Sequence, residues 1–374
     1  MSWTLLPALP PGVPGSARVI RMSSTGQEAA TSGSYKRPRQ RDIARMAGVS
    51  QPAVSLILTG RGQDRIPDET RQRVLEIAAA VGYRANTAAR RLQGQSSGLL
   101  GVHSYGDIFP IGFQHYSYEY LVGIHSAAEQ SGFDLVLFTS TRRGPVPSPY
   151  LGNDENRLGV ADGSIIVGGH SSENDLARLV GEGYPFVHIG RRQMEGIDIP
   201  SVGSDYVDGT ARLIVELAET GHRKLLYLGA DSVDEGRRDR REGFRIGVEK
   251  AGLTSTDMCF VGREEVTADW LTSTIPTSGW TIVAEEHDLA HRAVTSATTV
   301  GRRLRTDLAV AVLASPLAGE FDSWYCGFLV EQREEIGWRA GKLLIDIVEG
   351  RQSGPRQLLL KCRPSVTSYG YVPL

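Results

Sequence analysis

At 374 residues, the chain is longer than one ordinary domain and long enough to bury a substantial core, so two or three globular units are expected. A net charge of -2 argues against a protein that coats nucleic acid along its whole length, and no apolar run approaches the ~18 residues of a membrane-spanning helix. The near-neutral sum hides opposed regions: Lys36 to Gln93 carries 12 Lys+Arg against 5 Asp+Glu, whereas residues 94–374 carry 27 against 37. A compact basic module on a mildly acidic body points to a polyanion grip at one end, because neutralised phosphates release counterions.

Residues 1–36, rich in Pro, Gly, Ser and Ala, have neither the basic start nor the continuous apolar stretch of a secretory signal and read as a disordered extension. Met22 lies within this stretch and is an alternative start. From Asp42, apolar Ile43, Ala44 and Ala47 share one helical face until Gly48, a residue suited to the positive φ of a tight turn. Ser50 is placed to cap a second helix, in which Pro52 is harmless in the first turn and Val54, Ile57 and Leu58 fall at helical spacing.

Two short helices joined by a Gly turn form a helix-turn-helix, whose second helix presents its first side chains to base edges in the major groove. Here these are Gln51, Pro52, Ala53, Ser55 and Leu56; Gln51 can pair bidentately with adenine and Ala53 can contact a thymine methyl. A third helix is expected over Thr70 to Val81, with Val74, Ile77, Ala78 and Val81 closing a three-helix core. Asp68 and Glu69 suit its N-terminal dipole. The run from Gly82 to Leu92 is too short to be stable as a lone helix and is expected to fold only against a partner.

The segments DIARMAGVSQPAVSLILTG and IPDETRQRVLEIAAAVGYRANTAARRL resemble the headpiece and hinge of the lactose-repressor (LacI/GalR) family. That resemblance implies a homodimer on a roughly palindromic double-stranded operator, with two hinge helices that order together on DNA. In the hinge, Asn86, Arg90 and Leu92 are the implied DNA contacts. Leu92 matches the leucine that enters the minor groove at the operator's centre, where apolar wedges unstack a base step and bend the duplex. The sequence departs from the family at Leu56, where Arg is frequent, and at Ala85, where Pro is usual.

From Leu99 onward, short apolar runs alternate with amphipathic helices, the signature of βαβ units on parallel sheets. The alternation restarts near Ala211, so two such halves are expected with a ligand cleft between them. The expected fold is therefore an all-α helix-turn-helix headpiece (37–84), a hinge helix and linker (85–97), and an α/β two-lobed, periplasmic-binding-protein-like core with parallel sheets (98–374). ADGSIIVGG and RREGFRIGVEKAGL extend the family resemblance into this core.

By that resemblance Arg240, three residues before Gly243, reaches a small-molecule effector, a sugar or related metabolite. Asp205 and Asp208 match positions near the cleft; otherwise Arg240 belongs to a surface ion pair in the Arg-rich run 237–241. His287 stands in Glu286-His287, where the family has Asn-Asp, and Val312-Leu313-Ala314-Ser315 replaces Gly-Phe-Asp-Asp. Loss of a carboxylate that accepts sugar hydroxyls weighs against an ordinary monosaccharide. Trp270, with Trp280 and Trp324, can stack on a sugar or pack in the core.

An enzyme or a free solute receptor on the same fold is the alternative. No dinucleotide GxGxxG, Walker loop, GxSxG elbow or metal-spaced His cluster is found, so no catalytic residue, metal or cofactor is expected. A free receptor would need export and no basic headpiece. Cys259, Cys326 and Cys362 are too scattered for a disulfide framework and fit buried thiols in a reducing cytoplasm, near the nucleoid.

Overall fold

In the N-terminal unit, helix α1 (Gln40–Ala47) starts where the Asp42 carboxylate accepts from the Arg39 backbone amide at 2.9 Å. It ends at Gly48, whose φ of 66° opens the turn into α2 (Gln51–Leu58). Ser50 Oγ accepts from the Ala53 amide at 3.4 Å, so the serine does cap the second helix. Helix α3 spans Asp68–Ala80, two residues earlier than the apolar spacing indicates, because its acidic first turn is already helical. Ile43, Ala44, Ala47, Val54, Ile57, Val74 and Ala78 form the buried centre of the three helices.

The computed structural model describes residues 38–58, 66–83, 96–105, 116–139, 148–151, 155–168, 171–232, 234–316, 324–351, 354 and 356–367. The chain divides into two compact units at Ala85/Asn86. The hinge residues Asn86, Arg90 and Leu92, and the extension 1–36, lie outside the described residues.

The second unit contains two six-stranded sheets. Its first lobe holds β1 (Leu99–Ser104), β2 (Asp134–Phe138), β5 (Gly163–Val167), β6 (Phe186–Ile189), β7 (Ser201–Asp205) and β13 (Gln357–Lys361) in the order β13-β7-β6-β5-β1-β2. Its neighbouring strands all pair in parallel. The short hairpin β3 (Tyr150–Leu151) and β4 (Glu155–Asn156) lies beside it in sequence. Helices α4 (Tyr116–Gln130), α5 (Glu173–Gly181) and α10 (Arg333–Val348) cover this lobe.

The second lobe orders its strands β14-β12-β11-β10-β8-β9, namely β8 (Lys224–Gly229), β9 (Ser255–Phe260), β10 (Trp280–Ala284), β11 (Leu308–Val312), β12 (Tyr325–Val330) and the antiparallel edge β14 (Arg363–Val366). Its helices are α6 (Tyr206–Glu219), α7 (Glu235–Lys250), α8 (Ala268–Thr274) and α9 (His287–Thr299). Because successive strand residues face opposite ways, Leu226, Ile282 and Val310 join one buried cluster, while Leu225, Val283 and Ala309 join the other. Burial on both faces is why these strands read as continuous apolar runs.

Among the described residues, three chain crossings link the lobes. They run from β7 into α6, from β12 into α10, and from β13 into β14. On the first lobe, α4 and α10 meet backbone to backbone: a Cβ on Gly337 would overlap the Tyr120 carbonyl, and one on Gly123 the Glu334 carbonyl.

Candidate functional site

Two surfaces carry candidate chemistry. In the N-terminal unit, burial of Val54 and Ile57 against α1 and α3 turns the rest of α2 outward. Gln51 and Pro52 are exposed, Ala53 and Ser55 half-buried, and Leu56 is 38% exposed. Exposed Arg41 and Arg45 on α1 and Arg73 on α3 add positive charge to the unit. An open helix N-terminus with short polar side chains and flanking arginines suits the phosphates and base edges of a major groove.

The second surface is a cavity of about 430 Å³ between the two lobes, within the size range of small-ligand sites. Its walls come from the carboxyl ends of parallel strands: Gly168 after β5, Arg191 and Arg192 after β6, Tyr206 after β7, Glu286 after β10, Ala314 after β11 and Glu331 after β12. Strand ends leave backbone and side chains free of the sheet, which is where ligands bind in such folds. The N-cap and first turn of α7 supply Asp234, Glu235 and Gly236.

Ion pairs join the lobes across this cavity. Arg192 Nη1 reaches Glu235 Oε2 at 2.5 Å, and Arg191 Nε donates to Asp239 Oδ2 at 2.8 Å. Arg192 also donates to Ser171 Oγ, which is 3.0 Å from His188 Nε2. Burial would raise the Glu235 pKa, but the Gln193 amide and Arg192 reverse this and lower it. At Asp239 burial prevails over Arg191 and the pKa is raised. Burial pulls His188 down to about 4, keeping it neutral.

Arg240 is buried on this wall, 8% exposed. Its Nε donates to the Leu313 carbonyl at 2.9 Å, and its Cζ lies 3.5 Å over the Tyr206 ring. The Tyr206 hydroxyl in turn donates to Glu331, which accepts from Arg333 Nη2 at 2.5 Å. Burial alone would lower the Arg240 pKa; Tyr206, Glu331 and Glu286 more than reverse this and raise it. His287 lines the same wall and its Nε2 lies 2.6 Å from the Ser315 carbonyl.

Of the five core residues singled out from sequence, Arg240 and His287 meet in the cavity. Asp205, Asp208 and Trp270 are not among its lining residues. Asp205 instead caps α6 by accepting from the Asp208 amide at 3.1 Å. Asp208 faces Arg212 at 3.7 Å on an exposed helix side, and Trp270 packs half-buried against the second lobe's core. Sequence reasoning passed over Arg191, Arg192, Glu235, Asp239, Glu331 and Arg333. The Arg-Arg pair directly after an apolar strand was the available signal.

A helix-turn-helix unit followed by a two-lobed α/β core with a cavity at its strand ends defines a regulator-like architecture of the periplasmic-binding-protein type. The profile of bacterial regulatory proteins of the lacI family matches residues 41–86. The profile of periplasmic binding proteins and the sugar-binding domain of the LacI family matches residues 103–364. The chain belongs to the lacI family.

Among its relatives, the sucrose operon repressor of Klebsiella pneumoniae is 33% identical over 220 residues, covering 59% of this chain and 63% of that protein. The maltose regulon regulatory protein MalI of Escherichia coli K12 is 30% identical over 212 residues, 57% of this chain and 59% of that protein. These two alignments thus span under two thirds of either relative. The regulator CelR of Thermobifida fusca is 25% identical over 356 residues, 90% and 99% of the two chains. In fold, the chain is similar to a lac repressor dimer bound to operator and an anti-inducer (TM-score 0.66, 20% identity, 89% of this chain and 98% of that one). It is also similar to a CelR–cellobiose complex (TM-score 0.61, 21% identity, 89% and 100%).

Proposed function

We propose that this protein is a homodimeric transcriptional repressor that binds a roughly palindromic DNA operator and is modulated by a small molecule in the inter-lobe cavity. The observation that carries this reading is the union, in one chain, of a helix-turn-helix with an exposed recognition turn and a core with a polar cavity at its strand ends. The relatives are repressors and regulators by description, which supports regulation over catalysis.

In this reading residues 37–84 are the DNA-binding headpiece, 85–97 the hinge and 98–374 the ligand-sensing and dimerisation core. Gln51, Pro52, Ala53, Ser55 and Leu56 face base edges, and Asn86, Arg90 and Leu92 serve the minor groove. Arg240 and His287 meet the effector. The protein works in the cytoplasm, at the nucleoid. Ligand and operator are coupled through the differential affinity of the ligand for two lobe arrangements, typically ~1–3 kcal/mol.

Selection of bound duplexes from a random pool with the full chain, at near-physiological salt, tests the proposal. The expected result is a palindrome with a fixed central step. Leu92→Ala is expected to weaken binding to that site much more than binding to random DNA, because the wedge acts only at a bendable centre. No enrichment, or equal loss on both DNAs, overturns the operator reading or the wedge respectively.

A further inference from the structure

The cavity wall carries five arginines, and four are matched to carboxylates: Arg191 to Asp239, Arg192 to Glu235, Arg237 to Glu286, and Arg333 to Glu331. Arg240 differs. Among the described residues no carboxylate lies within 4.0 Å of it, and its one hydrogen bond runs from Nε to Leu313. Tyr206 covers one face of the guanidinium, leaving Nη1 and Nη2 without a hydrogen-bond partner among the described residues. Gly236 keeps that edge open, since a Cβ there would come within 3.3 Å of Nη1. Glu331 and Glu286 act on Arg240 from a distance, but each is already engaged, by Arg333 and Tyr206 and by Arg237.

A second unmatched group stands beside it. A carbonyl can only accept, so the bond to Ser315 O requires the proton of His287 to sit on Nε2. In the neutral ring Nδ1 is then the acceptor, and among the described residues it is buried without a partner. Arg240 and His287 are held by the carbonyls of Leu313 and Ser315, two residues apart on one chain segment, with Ala314 between them lining the cavity.

We propose that the ligand of this cavity is a small anionic polyol, whose oxyanion seats on Nη1 and Nη2 of Arg240 while a hydroxyl of the same molecule donates to His287 Nδ1. The inference rests on the reading of the cavity as the effector site. The open Nη1 and Nη2 present two parallel N–H donors, which a carboxylate or phosphate engages through a bidentate, charge-assisted pair. A neutral sugar fits less well. Ala314 offers no carboxylate to accept its hydroxyls, and the Tyr206 ring is already stacked on the guanidinium.

The test is isothermal titration of the full chain, without DNA, with D-gluconate, D-galacturonate and D-glucose 6-phosphate, set against D-glucose and D-galactose. At least one anion is expected to bind and the neutral sugars to give no heat; the carboxylates and the phosphate ester distinguish the two oxyanions. Arg240→Gln is expected to weaken the anion about 10- to 100-fold. Ala314→Asp, which adds a carboxylate between the two groups, is expected to weaken it as well and gives a second reading should the first variant misfold. Binding of a neutral sugar with no anion bound, no binding of any of the three anions, or unchanged anion affinity in a folded Arg240→Gln overturns the proposal. Because no operator is present, a chain that selects no DNA site yet binds the anion overturns the regulator reading alone.

Discussion

Asp162 holds the entrance to the core through Ser97: its Oδ1 accepts from the Ser97 amide at 2.7 Å. Oδ2 of the same carboxylate accepts from the Gly98 amide at 2.8 Å and from Ser96 Oγ at 2.5 Å. These residues directly follow the hinge segment, so one carboxylate fixes where the chain enters the first lobe.

Asp162→Asn keeps the shape but removes the charge and one acceptor oxygen, and is expected to cost about 1–3 kcal/mol. Burial would raise the Asp162 pKa, but the bonds from Ser96, Ser97 and Gly98 prevail and lower it. A depressed carboxylate stabilises the fold above its unfolded value of about 3.9 and loses that contribution as pH falls through the folded value. The urea midpoints of wild type and variant should therefore differ at pH 7 and converge in strong acid. A gap that persists in strong acid would show that the carboxylate's charge is not what stabilises.

Close approach of α4 and α10 gives a second expectation. Ala is normally the better helix residue by about 1 kcal/mol, yet Gly337→Ala places a methyl on the Tyr120 carbonyl. Overpacking of this kind costs about 1–3 kcal/mol, so the melting temperature should fall. Gly181→Ala, at the end of α5 with no atom within 4 Å of the new methyl, should leave it unchanged or raise it. Equal melting temperatures for the two variants would contradict the packing described for Gly337.

Buried histidines are expected to make the core acid-sensitive. Burial lowers both His103 and His188 from 6.5 to about 4. A histidine depressed in the fold stabilises it above the unfolded pKa and loses that contribution as pH falls from about 6.5 toward 4. Between pH 7 and 5 each should remove about 2 kcal/mol. Among the described residues neither ring nitrogen of His103 has a hydrogen-bond partner, so His103→Leu should flatten the decline at little cost at pH 7. Parallel pH curves for wild type and variant would rule His103 out as a source of the acid sensitivity.

The sequence makes the headpiece legible because cap, turn and apolar spacing agree there; Ser50, Gly48 and Val54 each do what their chemistry indicates. In the core, the apolar strands could be read, but β7 could not. Ser201-Val-Gly-Ser-Asp205 holds a single large apolar residue, yet it is a strand whose small residues let the Arg191 backbone pass 2.9 Å from where a Gly203 Cβ would stand. Strand β9 escaped notice because it is a sheet edge with Met258 and Phe260 exposed. The ion pairs that join the two lobes link residues more than forty positions apart, a closeness that only the two-lobed topology creates.

The three crossings between lobes give the core a redundancy that a single linker would lack. A protease cut in any one of them leaves two covalent ties and both sheets intact. A nicked core should therefore migrate as one body under native conditions and separate into fragments only in denaturant.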